Sequence, residues 1–395
     1  MAHATESPEK LLADVDAFCQ ALRPSEEVCY LEHRINDQLL PLAKKYGVLG
    51  LTVPREFGGR GTDSVTYAKA LARIGREGTG VRTFFSGHCS IGQYPIWRWG
   101  NSDQHARYLP PSVRGECVLA FGLTEPDAGS NPREMTTTYR RQGDQFLLSG
   151  MKYLISNGSI ANAVVVFGYP ADGAEADRRM SAFIVDTAGA TFQAERLTAK
   201  PGMHTADTGM FQMMDHPVPA ANLLGREGDG FRIAMGTLIS GRLSVAAGCL
   251  GVIEDCLEES LAWCKMRSQH GKLIGKHQLV QRHLAEIEIA RATTEGIVLR
   301  AAAAKHASDD QKGDAELLAA ADLLTAEAKY HASNAAWQAA DHAVQIFGGR
   351  GWSELYRVGR HLSDVRVCRI YEGTDEILQL KIASALLGKE FQAFG

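Results

Sequence analysis

"QFLLSGMKYLISNGSIANAVVVFGYP", Gln145 to Pro170, contains two runs rich in β-branched and aromatic residues, QFLLSGMKYLIS and AVVVFGYP, parted by a cluster of small polar residues. Short runs of this kind bounded by turn formers read as strands. VLAFGLT before them, and SAFIVDT and TGMFQMM after, repeat the pattern, so residues 116–228 form a β domain. On either side the period changes. Residues 1–115 carry helical spacing in LLADVDAFCQAL and YAKALARIGRE, with Pro and Gly marking turns in VPREFGGRGTD. From residue 229 to 395 long segments rich in Ala, Leu and Glu, such as DAELLAAADLLTAEAKYHASNAAWQAADHAVQIF, suit close helix packing. The order is α, β, α: an α+β chain with an N-terminal helical domain, a central β-sheet domain and a C-terminal helical bundle. YPADGAEADRRM reads as a polar loop between two strands.

With 395 residues, 45% of them apolar, the chain can bury a core of several packed layers. The net charge is -4 and the basic residues are interspersed with acidic ones, which argues against a nucleic acid partner. Eight cysteines form no C-x-x-C pair and sit in apolar surroundings, so reduced thiols in a cytoplasmic protein are expected, with no metal site. MAHATESPEKLLADVDAF lacks a basic region followed by an apolar run, and no window approaches about 20 apolar residues. Neither secretion nor a transmembrane segment is expected.

FGLTEPDAGSNP, Phe121 to Pro132, follows a strand and ends in turn residues. It could be an ordinary loop. Its backbone N–H groups and the hydroxyls of Thr124 and Ser130 could equally hold an anionic or carbonyl-rich cofactor. RIYEGTDEILQL, Arg369 to Leu380, reads as a helix start, with Thr374 as N-cap and Asp375 and Glu376 in the first turn. Glu372 lies two positions before that cap and has no capping role.

Together with GMKYLISNG, MRSQHGKLIGKHQ and AVQIFGGRGW, in this order and spacing, these motifs resemble the acyl-CoA dehydrogenase flavoprotein family from about Leu12 to Leu387. The resemblance implies a four-helix-like N-terminal domain, a β domain and a C-terminal four-helix bundle, with FAD between the last two. Part of each FAD site would come from a neighbouring subunit of a homotetramer or homodimer. The implied reaction is α,β-dehydrogenation of an acyl-CoA thioester: Glu372 takes the α-proton, the β-hydride passes to flavin N5, and an electron-transferring flavoprotein collects the electrons. Such a base wants a pKa raised towards neutrality by burial, and the enolate-like transition state wants donors in a dry site.

The resemblance also assigns residues. Phe121, Leu123 and Thr124 would lie along the isoalloxazine, Ser156 would bond the ring region, and Arg267 would pair with the pyrophosphate. Gln345, Gly348 and Gly349 would reach the ADP part from the neighbouring subunit. Gln278, Thr374 and Glu376 complete the FAD set. Ser130, Arg242, Tyr371 and Gly373 would touch substrate. Alone, Arg267 reads as a solvated charge, the glycine pair as a helix C-cap, and Arg242 as a brace for its helix.

Three residues depart from the family pattern: Leu154 stands where an aromatic is usual beside the flavin, His270 where Phe is usual, and Asn131 where Asp is usual. His270 reads as a packing or hydrogen-bonding substitution. Arg82, in GTGVRTFFSGHCSIGQYPI, falls where glutaryl-CoA dehydrogenase carries an arginine for its substrate's distal carboxylate. An internal salt bridge or a surface position would explain it as well. Phe84 and Phe85 would narrow the acyl pocket if they point inward. Two further readings share the sequence: the same chemistry on an acyl-carrier-protein thioester, and a non-catalytic assembly or binding protein on this fold.

Overall fold

The computed structural model describes residues 7–172 and 179–391; most of the loop expected in YPADGAEADRRM falls outside them. Six α-helices precede the first strand: α1 (Pro8–Leu31), α2 (Leu39–Lys45), α3 (Ser64–Arg76), α4 (Thr79–Phe85), α5 (Tyr94–Trp99) and α6 (Ser102–Val113). That is more than the four implied by resemblance, because Pro54, Gly58 and the wide π-helical turn Ser86–Gln93 divide the segment. The π turn lies against the β domain, where a Cβ on Gly87 would fall 2.8 Å from Asn157 Nδ2.

The β domain comprises β1 (Leu119–Gly122), β2 (Thr138–Gln142), β3 (Gln145–Ser156), β4 (Ala163–Pro170), β5 (Ser181–Asp186), β6 (Phe192–Arg196), β7 (Thr208–Pro219) and β8 (Leu223–Leu224). They pair in the order β6-β7-β3-β2-β4-β5-β8, with β1 parallel to β4. Strands β4 and β5 are buried on both faces, which explains the unbroken apolar runs that identify them. Val164, Val166, Phe183 and Val185 enter one core with Phe146 and Phe211. Their alternates Val165, Phe167, Ala182 and Ile184 enter another with Ile96 and Leu109 of the N-terminal domain.

The C-terminal bundle is built on three long helices, α7 (Gly230–Met266), α8 (Gln278–Asp310) and α9 (Ala315–Phe347), followed by the shorter α10 (Arg357–Val365) and α11 (Asp375–Leu387). A two-stranded hairpin, β9 (Ser268–Gln269) and β10 (Lys272–Leu273), links α7 to α8. Contrary to the sequence expectation, α7 is long and apolar enough to cross a membrane, but 89% of its apolar window is buried in the fold. It packs on α3, α8 and α9. Where α3 crosses it the backbones touch: a Cβ on Gly75 would lie 2.5 Å from the Gly248 carbonyl. None of the eight cysteines is disulfide-bonded.

Candidate active site

After α10 the chain makes a 3-10 turn, Arg366–Arg369, and reaches the start of α11 through Ile370–Thr374. Thr374 caps the helix, accepting the Ile377 N–H at 3.3 Å. Glu376 is exposed in the first turn, and hydrogen bonds to its own N–H and to Thr374 hold its pKa down. Asp375 differs from a dipole-facing carboxylate: it is buried and accepts Arg369 Nε at 2.7 Å and Asn334 Nδ2 at 3.1 Å.

Glu372 and Gly373 both have left-handed backbones, φ +56° and +95°. For a non-glycine residue this costs roughly 1–2 kcal/mol, so the surroundings must hold it. Two cations do so. Arg242 Nε donates to the Glu372 carbonyl at 3.2 Å, and Lys329 Nζ donates to the Gly373 carbonyl at 2.7 Å. Arg242 is itself fixed by Asp322 of α9 at 2.8 Å. Expected at the substrate, Arg242 is therefore committed to the Glu372 loop, because its guanidinium lies between α9 and that carbonyl.

The Glu372 carboxylate rests on the bare Cα of Gly241, where a Cβ would fall 2.4 Å from Oε2. That oxygen is buried with no hydrogen-bond partner among the described residues. Burial pushes the carboxyl up to about 7, against the lowering pull of Arg242, Arg82 and Lys329. The Glu372 N–H also donates to no acceptor among the described residues. A carboxyl poised near neutrality thus lies beside a free donor.

Arg82 is 1% exposed and pairs with no carboxylate among the described residues, so neither a salt bridge nor a surface position accounts for it. Its guanidinium donates to the Tyr371 hydroxyl, lies 5.5 Å from that ring's centroid and stands 4.0 Å from Cys368 Sγ. Phe85 points away into the N-terminal core, edge-on to Phe18 at 5.5 Å, while Phe84 packs on His88.

The two motifs expected at the flavin are locked together by a buried ion pair, Lys152 Nζ to Glu125 Oε1 at 2.9 Å. Glu125 also accepts from Thr136 and Thr137, and Lys152 donates to the Leu123 carbonyl. These bonds hold the Glu125 pKa down at about 2. Phe121 and Leu123 are buried in the core, so they offer a cofactor mainly backbone and one edge. Thr124 and Ser156 are half-buried, whereas Ser130 and Asn131 are exposed. Leu154 sits at a β-bulge with φ +58° and is 56% exposed, an apolar surface lacking cover within the chain.

Arg267 departs from expectation. It caps α7 and makes no side-chain hydrogen bond or ion pair among the described residues. It follows Gly241 by 26 residues of helix, which at 1.5 Å per residue separates it from Glu372's packing site by about 39 Å. An arginine side chain cannot span that distance to Glu372. His270, with φ +50°, and Gly271, with φ +71°, form the exposed hairpin tip, so His270 is a turn residue, not a packed one. Gln278 is exposed at the start of α8, and Gln345, Gly348 and Gly349 at the end of α9, with open space beside both glycines.

Family comparison matches residues 5–116, 120–216 and 228–387 to the N-terminal, middle and C-terminal domains of acyl-CoA dehydrogenase. The chain belongs to the acyl-CoA dehydrogenase family. It is similar to an acyl-CoA dehydrogenase of Bacillus subtilis, with 35% identity over 98% of this chain and 99% of the relative. Butyryl-CoA dehydrogenase from Megasphaera elsdenii superposes with a TM-score of 0.90 at 32% identity, covering 98% and 100% of the two chains. A glutaryl-CoA dehydrogenase in complex with glutaryl-CoA gives 0.89 at 29% identity, covering 99% and 98%. As an acyl-CoA dehydrogenase the protein is an oxidoreductase acting on CH–CH groups, and its cofactor is FAD. The uncovered Leu154, the uncommitted Arg267 and the open backbone at Gly348 and Gly349 fit such a group.

The sequence reading missed Gly241, Lys329 and the Lys152–Glu125 pair. Two signals were available. A glycine inside an apolar helix asks for a packing reason, and Lys329 interrupts the alanine face formed by Ala332, Ala336 and Ala340. A separate cleft of about 990 Å³, lined by Arg23, Arg73, Glu254 and Glu258, lies farther along α7 and contains none of these residues.

Proposed function

We propose that the protein catalyses α,β-dehydrogenation of an acyl-CoA thioester, with Glu372 as the base. The buried, unpartnered Glu372 Oε2 carries this reading. Bound FAD supplies the acceptor for the β-hydride. The chain holds Oε2 where it can take the α-proton, excludes water from it, and ties the 372 and 373 carbonyls back so that the Glu372 N–H is left for the thioester oxygen. Thr124, Leu154 and Ser156 would hold the ring end, and a neighbouring subunit's Arg267, Gln345, Gly348 and Gly349 the pyrophosphate and ADP end. In anaerobic bleaching with a substrate acyl-CoA, Glu372→Gln should keep its flavin and react about 10²–10⁴-fold more slowly. Bleaching at the parent rate would sink the assignment.

For the substrate we propose an acyl chain with an anionic or strongly accepting tail, because a buried guanidinium without a carboxylate wants an anion. A dicarboxylic acyl-CoA should bleach the flavin faster than its monocarboxylic analogue, and Arg82→Gln should remove that preference. Equal rates in the parent would reduce Arg82 to a brace for Tyr371. An electron-transferring flavoprotein is the proposed acceptor, supported by the family resemblance. A homodimer or homotetramer is supported by the reach of Arg267 and by the exposure of Trp352, Leu279 and Leu386. The free thiols support a reducing, cytoplasmic setting.

A further inference from the structure

His33, His204 and Glu354 come from three parts of the chain: the residue pair following α1, the loop between β6 and β7, and the turn between α9 and α10. Their ligand atoms lie within 4.8 Å of one another. His33 Nε2 stands 3.2 Å from Glu354 Oε2, and His204 Nε2 stands 3.4 Å from Oε1. The two imidazoles stack with centroids 3.7 Å apart and planes 12° from parallel, so their donor edges face one carboxylate.

We propose that these three side chains form a binding site for a divalent transition cation, Zn2+ being the best match, that pins the three domains together. Zn2+ bonds of about 2.0–2.1 Å at tetrahedral angles put neighbouring ligand atoms roughly 3.3–3.4 Å apart. Each imidazole already stands at that length from one of the two carboxylate oxygens, and with all three ligand atoms within 4.8 Å of one another a side-chain adjustment on the order of 1–1.5 Å completes the set. Two imidazoles with one carboxylate suit a borderline cation and not the all-oxygen shell that Ca2+ or Mg2+ prefers.

The backbone under each ligand is fixed. His33 has φ +53° and donates its N–H to the Tyr30 carbonyl at 3.1 Å, in a left-handed cap that favours glycine. His204 follows left-handed Met203, whose N–H donates to Asp364; its own carbonyl accepts Arg196 at 2.8 Å, and its ring meets Tyr30 edge-on at 5.0 Å. The Glu354 carbonyl accepts Arg360 Nε at 2.5 Å. His33 and Glu354 are partly exposed, leaving an entry path and room for a water ligand.

The test uses untagged, FAD-loaded protein stripped of metal by a chelator and titrated with Zn2+ by calorimetry. One saturable site per chain is expected, together with a higher melting temperature. Loss of an outer-shell partner alone costs about 10–100-fold in affinity, so Glu354→Gln and the His33→Ala/His204→Ala pair should each weaken binding by about 100-fold or more. His306→Ala, at an exposed histidine on α8, should change nothing. Retained flavin and unchanged bleaching would show that the variants are folded. No saturable site in the parent, or equal binding by Glu354→Gln, would overturn the proposal and leave the cluster as a hydrogen-bonded contact.

Discussion

Glu26 on α1 is buried and Glu372 before α11 is half-buried with its Oε2 enclosed, and desolvation pushes both carboxyls up to about 7. Their oxygens differ. Glu26 Oε1 accepts the Thr205 hydroxyl of the β6–β7 loop at 2.5 Å and Oε2 accepts Asn36 Nδ2 of the α1–α2 connection at 2.9 Å, so both are engaged. Neither Glu372 oxygen has a hydrogen-bond partner among the described residues, and Oε2 is enclosed on a left-handed residue packed against a glycine. A raised pKa alone therefore does not identify a base. The free lone pair is what supports Glu372 as the proposed base.

The sharpest way to break that contrast is activity. Glu26→Gln should leave the anaerobic bleaching rate unchanged, beside the loss of about 10²–10⁴-fold expected for Glu372→Gln. If Glu26→Gln bleaches as poorly, the distinction fails.

A third buried carboxylate, Glu125, extends the comparison to the opposite extreme, since Lys152 holds its pKa down. Lys152→Met strands that charge and should cost about 3–5 kcal/mol of stability, measured by denaturant unfolding, with release of flavin. A loss under about 1 kcal/mol would mean that the pair does not hold the two motifs.

Titration gives the smallest effect. A carboxyl raised from 4.5 to about 7 binds its proton more tightly when folded, so its penalty is absent below about pH 4.5 and grows as pH rises through about 7. Glu372→Gln should then stabilise the protein by about 3 kcal/mol at pH 8 and by little near pH 4.5. A pH-independent difference would contradict the raised pKa. Glu26 carries a penalty of the same sign, so stability cannot separate the two carboxylates, whereas turnover can.

The α-β-α order and the special standing of Glu372 were legible because strand runs, helical periods and the position relative to a cap are local properties. Gly241 and Lys329 were not, since each gains its role from a residue 131 and 44 positions away that only the fold brings near. Asp375 looked like a first-turn acid until the fold set Arg369 against it. The length of α7 could be read from its pattern, but the separation it imposes on Arg267 appears only once Glu372 is found at the other end.

That separation makes α7 a lever with two clients. One end supports the proposed base of its own chain, and in the proposed oligomer the other end would serve a neighbour's cofactor. A chain damaged at Glu372 and a chain damaged at Arg267 would then carry defects in different catalytic units. In a mixed pair both faults would fall on one centre, leaving the other whole, so two inactive proteins could together make an active one.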